Sequence, residues 1–219
     1  MRLERSNVHR YSGRMSVHQI RAVVFDLGGV LIDFDFNRAN QRIAAMTGLH
    51  PDDVRRRLLS CQAFLDFECG RISEHEFHGC VEKVIECRIP FAEFHDIWNC
   101  IFSAEIASTV ALIGPLRERV KVGLLSNTNK LHFDFLKQRF TVLKNLDHVF
   151  ASHEIGCRKP EAKAYEYVLA QMKVRAPESV FVDDLMENVA AARHVGMHGV
   201  HATDPESVAA GLRDLGLIR

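Results

Sequence analysis

The chain has 219 residues, enough to bury a substantial apolar interior as one large domain or as a core carrying an inserted module. Lys+Arg 28 against Asp+Glu 28 leaves no formal charge, so the composition gives no sign of nucleic acid or an acidic membrane surface as a partner. Hydrophobic residues at 47% and charged residues at 26% describe a soluble globular protein, and the longest apolar runs fall far short of the roughly 20 residues of a membrane span.

Residues 1–20 are basic and polar, with Arg2, Arg5, Arg10 and Arg14 but no apolar h-region, and read as a disordered N-terminal extension. Ala22-Val23-Val24-Phe25 follows, running directly into Asp26 and then into Gly28-Gly29. Such a run predicts a strand buried on both faces, and a carboxylate at its end costs free energy unless something pairs it. The six cysteines (Cys61, Cys69, Cys80, Cys87, Cys100 and Cys157) contain no CxxC pair, as expected of reduced thiols in a cytoplasmic protein.

Residues 37–105 read as an all-helical insert. Ala39, Ile43 and Met46 recur at helical spacing before Gly48, and Pro51-Asp52-Asp53 opens the next helix. Ser73 to Glu76 has the form of a capping box, with Phe77, Val81 and Val84 on one face. Phe94, Ile97, Trp98 and Ile101 make a further stripe, read as core. Glu68-Cys69-Gly70-Arg71 fits either a loop reaching over a site or a plain helix stop. His75/His78 and His194/His198 have helical spacing that would suit a metal, but no third ligand stands in pattern, so they read as ordinary histidines.

From residue 106 the pattern returns to alternating strands and helices. Ala111, Leu112 and Leu116 are helical, with a kink expected at Gly114-Pro115. Val120 to Leu125 is a strand ending in Ser126-Asn127, and His148 to Ala151 is a short one followed by a loop to Arg158-Lys159. Pro160 is expected to start a helix with the face Tyr165, Val168, Leu169 and Met172. Val180 to Val182 is a strand ending in Asp183-Asp184, followed by a helix that stops near Gly196. A last strand at Gly199 to Ala202 and a terminal helix over 205–219 complete a doubly wound parallel α/β sheet. Residues 21–36 and 106–219 form the core, and 37–105 form an inserted helical cap.

Parallel strands bring their carboxyl ends to one edge, so Asp26, Ser126, Lys159 and Asp183-Asp184 should converge there. Carboxylates with a lysine and a hydroxyl suit a magnesium-assisted phosphate site. These residues carry a resemblance: Phe25 to Val30, Leu124 to Asn127, Arg158 to Pro160, and Phe181 to Asp184 with Asn188 resemble the four motifs of the haloacid dehalogenase superfamily. The insert resembles the helical bundle cap of its subgroup that includes the phosphatase domains of soluble epoxide hydrolases. The segments Asp33 to Arg38, Ser126 to His132 and Arg158 to Ala162 are similar to its bacterial α-D-glucose-1-phosphate phosphatases.

The resemblance implies a phosphatase acting on a small phosphorylated metabolite such as a sugar phosphate, as a monomer or homodimer. It implies that Asp26 is a nucleophile forming an aspartyl-phosphate, and that Mg²⁺ is held by Asp26, the carbonyl of Gly28 and Asp184. Asp183 is then either a second ligand or the holder of a metal-bound water. Lys159 neutralises phosphoryl charge, Ser126 and the Asn127 N–H bind phosphate oxygens, and Asn188 orients the acids. One departure stands out. Phosphatases of the superfamily usually carry an acid–base Asp two residues after the nucleophile, where this chain has Gly28. Two other readings follow: a catalytically silent phosphometabolite-binding protein, allowed by Gly28, and a metal-free haloacid dehalogenase, opposed by the presence of both Asp183 and Asp184. Asp33 is near in sequence but is expected to be structural.

Overall fold

In the computed structural model, residues 19–219 are described. The expectation for residues 1–20 therefore lies outside the described residues except at Gln19 and Ile20, and Ile20 packs against the sheet core. The predicted strand is β1 (Ala22–Phe25), its four side chains fully buried. After it the chain enters β2 (Ile32–Phe34) and five helices: α1 (Phe36–Thr47), α2 (Pro51–Leu59), α3 (Gln62–Glu68), α4 (Glu74–Ile85) and α5 (Phe91–Asn99). It leaves them through β3 (Phe102–Glu105), α6 (Ala107–Val110) and α7 (Ile113–Arg117). The remaining elements are β4 (Lys121–Ser126), α8 (Lys130–Arg139), β5 (His148–Ala151), α9 (Ser152–Ile155), α10 (Ala162–Met172), β6 (Ser179–Asp183), α11 (Met186–His194), β7 (His198–His201) and α12 (Pro205–Asp214).

Five strands form one parallel sheet in the order β5-β4-β1-β6-β7. The chain starts in the middle, builds outward through β4 and β5, and returns to add β6 and β7 on the other side of β1. The order reverses between β1 and β6, the place where open α/β sheets bind ligands. Strand alternation sends Val23 and Phe25 to the layer containing α7, α8 and α12, and Ala22 and Val24 to the layer containing α10 and α11. The architecture is the expected doubly wound sheet carrying a helical cap.

The cap has its own core of Ile43, Val54, Phe67, Phe77, Phe94 and Trp98, into which Leu131 of α8 projects from below. Its helices start as the sequence indicates: Ser73 and Glu76 form the reciprocal capping box, and Pro51 sits in the first turn of α2. Five details differ from expectation. The insert is not all helical, because β2 and β3 pair antiparallel and bring the entering and leaving chains together; strands this short carry too little alternation to stand out from their surroundings. Met46 is exposed rather than core. The break near Gly114-Pro115 falls earlier, at Ala111-Leu112, because a proline in the first turn of α7 displaces no intrahelical bond. Pro160 does not start α10. It lies in a turn closed by Glu161 N–H on the Arg158 carbonyl, and the helix begins at Ala162. The expected loop before Arg158 also contains the short α9.

Candidate active site

The carboxyl edge of the sheet brings together the residues that the strand ends present. Asp26 leaves β1 with its N–H on the Val182 carbonyl, so the register of β1 against β6 fixes its place beside Asp183. Lys159 reaches in from the turn before α10. Its ammonium lies 2.6 Å from Asp26 Oδ1 and 2.7 Å from Asp183 Oδ2, and the residue is only 1% exposed. A lysine this deep stays charged because two carboxylates face it; burial opposes the charge, but the carboxylates win and its pKa is raised. Asp26 has the opposite balance, in which burial outweighs the pull of Lys159 and the charge of Asp183 adds to it, lifting its carboxyl to about 7.

Asp183 is fully buried and its acceptors are heavily used. Oδ1 accepts from the Leu185 N–H at 2.8 Å and from Asn188 Nδ2 at 3.0 Å, while Oδ2 accepts from Lys159. Asn188 is itself fixed by Tyr165, whose hydroxyl donates to the Asn188 carbonyl at 2.9 Å. Asp184, the next residue, is only half-buried, and its pKa is raised by burial first and the Asp183 charge second. Asp26, Asp183 and Asp184 each offer a carboxylate oxygen, and these lie within 4.8 Å of one another. Asp184 is close to the backbone of Gly29, where φ is +70° and a Cβ would stand 2.6 Å from Asp184 Oδ2. Glycine is required there on both counts. A cradle of hard carboxylate oxygens on a side-chain-free turn fits a divalent cation such as Mg²⁺.

Ser126 ends β4 and is buried on the same edge. The side chain of Asn127 clamps the backbone of Lys159: Oδ1 accepts from the Lys159 N–H at 2.8 Å, and Nδ2 donates to its carbonyl at 2.9 Å. Sequence reasoning gave Asn127 a backbone role only, and the structure adds this one. Gly28 pairs with Ile32 across the turn, and its missing side chain has a cause in the structure. A Cβ on Gly28 would lie 2.7 Å from the Phe34 ring, so that aromatic from β2 fills the space beside the backbone. Asp33, the nearest acid in sequence, is exposed and accepts a hydrogen bond from Ser103 of β3, a structural position as expected.

Two features escaped the sequence. His132 of α8 is buried at the seam with the cap, its Nε2 3.0 Å from the Trp98 carbonyl, and burial pushes its pKa down to about 3. Glu68 and Arg158 meet across the same seam at 3.0 Å. Neither periodicity nor spacing marks such a partnership. His78, set aside as a metal ligand, lies 2.8 Å from the Ile89 carbonyl and packs on Phe91 and Phe94. Among the described residues no helix is long and apolar enough to cross a membrane.

Comparison with known proteins bears on the family and the fold. A family model described as a hydrolase, haloacid dehalogenase-like hydrolase, matches residues 20–196. The chain is 30% identical over 200 residues to the sesquiterpene phosphatase astK of Aspergillus oryzae, covering 89% of this chain and 96% of that protein. It is 27% identical over 207 residues to the D-ribitol-5-phosphate phosphatase of Bacteroides thetaiotaomicron, covering 91% and 98%. In fold it is similar to a haloacid dehalogenase family enzyme of Bacteroides thetaiotaomicron solved with magnesium and inorganic phosphate, with a TM-score of 0.75, 24% identity, and 83% and 93% coverage.

Proposed function

The chain belongs to the haloacid dehalogenase-like hydrolases, and from that premise we propose that it is a Mg²⁺-dependent phosphatase of small phosphorylated metabolites working through an aspartyl-phosphate. The observation that carries the reading is the buried Asp26–Lys159–Asp183 array beside the half-buried Asp184. A dehalogenase needs no cation, and Asp184, beside the Lys159-paired Asp26 and Asp183 with no ion pair of its own among the described residues, would be an unexplained cost to it.

Asp26 attacks phosphorus through a carboxylate oxygen, the bond from phosphorus to the ester oxygen breaks, and the alcohol leaves with a proton. Water then attacks the phosphorus of the aspartyl-phosphate, releasing inorganic phosphate and regenerating Asp26. Lys159 favours the ionised form of Asp26 against the burial that raises its pKa, and it faces the phosphoryl oxygens, which Ser126 and the Asn127 N–H also bind. Asp26, Asp184 and the carbonyl of Gly28 would hold Mg²⁺, and when bound it offsets the repulsion between the carboxylate and the phosphate dianion. Asp183, with its oxygens committed to Lys159, Asn188 and Leu185, acts by fixing Lys159. No carboxylate stands at Gly28, so the leaving-group proton comes from solvent or from the substrate itself. Residues 37–105 form the cap that closes over this edge, with 21–36 and 106–219 as the core.

A sugar or polyol phosphate is the substrate class, in keeping with the ribitol-phosphate relative. One observation favours a second class, an apolar phosphate ester: Leu185 and Met186 stand exposed directly after Asp184. A panel of sugar, polyol and prenyl monophosphates, assayed with Mg²⁺, with EDTA and with Asp26→Asn, tests the function and separates the classes. Turnover surviving EDTA or the Asp26 change refutes it.

A further inference from the structure

We infer that Glu68 and Arg158 form a latch that ties docking of the cap to the placement of Lys159, making both of them positioning residues for the reaction proposed above. Glu68 ends α3 on the cap, and Arg158 belongs to the core and directly precedes Lys159. Their side chains meet at 3.0 Å, with that of Glu68 only 10% exposed. The same cap turn makes two further contacts. Ser152 Oγ donates to the Glu68 carbonyl at 2.6 Å and accepts from the Thr128 N–H at 2.9 Å. Gly70 lies so close to the core that a Cβ on it would stand 2.1 Å from the His153 carbonyl oxygen.

These contacts end on the two loops that present the phosphate-binding groups. Thr128 follows Ser126-Asn127, and Arg158 precedes the lysine whose backbone Asn127 clamps from both sides. Cap turn, Ser126 loop and Lys159 loop therefore form one connected unit when the cap is docked. The docked seam also buries charge. Glu68 Oε2 meets Arg158 at 3.0 Å, and burial works against the Glu68 carboxylate while the Arg158 guanidinium across the seam favours it. Taking a carboxylate and a guanidinium out of water costs free energy that opening the seam returns. A seam of this kind favours parting and re-forming, which a cap must do once per turnover.

The test is a double-mutant cycle on turnover with p-nitrophenyl phosphate and the best ester of the panel, both with Mg²⁺. Glu68→Gln, Arg158→Lys, their alanine counterparts, the double variants and the charge-swapped pair Glu68→Arg/Arg158→Glu are compared. Backbone misplacement of a catalytic group lowers kcat on the order of 10–100-fold. Each single change is expected to lower kcat to that extent on both esters, with the double variant no worse than the poorer single one. The charge swap should restore part of the loss, and amide hydrogen exchange at Arg158 and Lys159 should rise in the single variants. Additive losses without rescue and with unchanged exchange overturn the latch. A rise in KM for one ester with kcat kept also overturns it, making the pair a substrate contact instead. If the alanine variants fail to fold, the Gln and Lys variants carry the cycle. If wild type hydrolyses no ester, the phosphatase reading fails, and hydrogen exchange still decides the latch.

Discussion

Replacing Lys159 with methionine keeps the volume of the side chain and removes its charge from the centre of the site. The ammonium is the shared partner of Asp26 at 2.6 Å and Asp183 at 2.7 Å, and both carboxylates are buried. Without it two negative groups face each other with nothing between them. Breaking a buried pair by removing one partner costs about 3–5 kcal/mol. A chain of this size shifts its Tm by roughly 2–4 °C per kcal/mol, so the variant should melt about 6–20 °C lower at neutral pH. The sign of the pH effect follows from the carboxylates. Deprived of the lysine, at least one has its pKa raised further, so the folded variant binds more protons than the unfolded chain above the ordinary carboxylate range. Its deficit relative to wild type should therefore shrink as the pH is lowered from 8 towards 5. Scanning calorimetry of both proteins across that interval, with turnover measured in parallel, is the assay. A variant that melts within a degree or two of wild type at every pH, or that keeps its turnover, refutes the reasoning.

Gly28→Ala places a methyl 2.7 Å from the Phe34 ring and should cost about 1–3 kcal/mol in chemical denaturation, with Phe34→Leu in the same chain recovering most of it. Gly28→Asp is expected to lower turnover through the same collision rather than add acid–base help. His132 is buried neutral with its pKa near 3, so the unfolded chain binds the proton first and stability falls as the pH drops below about 6.5. That histidine accounts for about 2 kcal/mol of loss by pH 5, and a pH series of unfolding curves for His132→Gln should lack that part of the slope. Gly70→Ala forces a side chain onto a residue at φ +66° and against the His153 carbonyl, and thermal melting should show a loss above about 2 kcal/mol.

Much of the site is legible from strand ends alone. A run such as Ala22 to Phe25 broken by Asp26 states both a buried strand and a polar group that needs a partner, and Lys159 supplies it from the turn before α10. Capping chemistry at Ser73 and Pro51 likewise reads directly, because it acts within a few residues. What stays hidden is set by pairing across distance. The short strands β2 and β3 lie about 70 residues apart in sequence, as the Ser103–Asp33 hydrogen bond shows, and neither is long enough for periodicity to speak. The reason for Gly28 is a phenyl ring from β2, the role of the Asn127 side chain is a backbone 32 residues on, and Glu68 finds Arg158 only once the cap has docked. Met46 shows the complementary failure, since helical spacing gives a face but not what covers it.

The central claim is that Asp26 carries the phosphoryl group, and borohydride trapping tests it most directly. Wild-type protein turning over its best ester with Mg²⁺ is quenched with borohydride, which reduces an acyl phosphate to an alcohol, and the peptide containing residue 26 is sequenced by mass spectrometry. Homoserine at position 26 that depends on both ester and metal, and is absent from Asp26→Asn, is the result expected. Efficient turnover with residue 26 recovered as unmodified aspartate under every quench, or with the reduced residue found elsewhere, contradicts it.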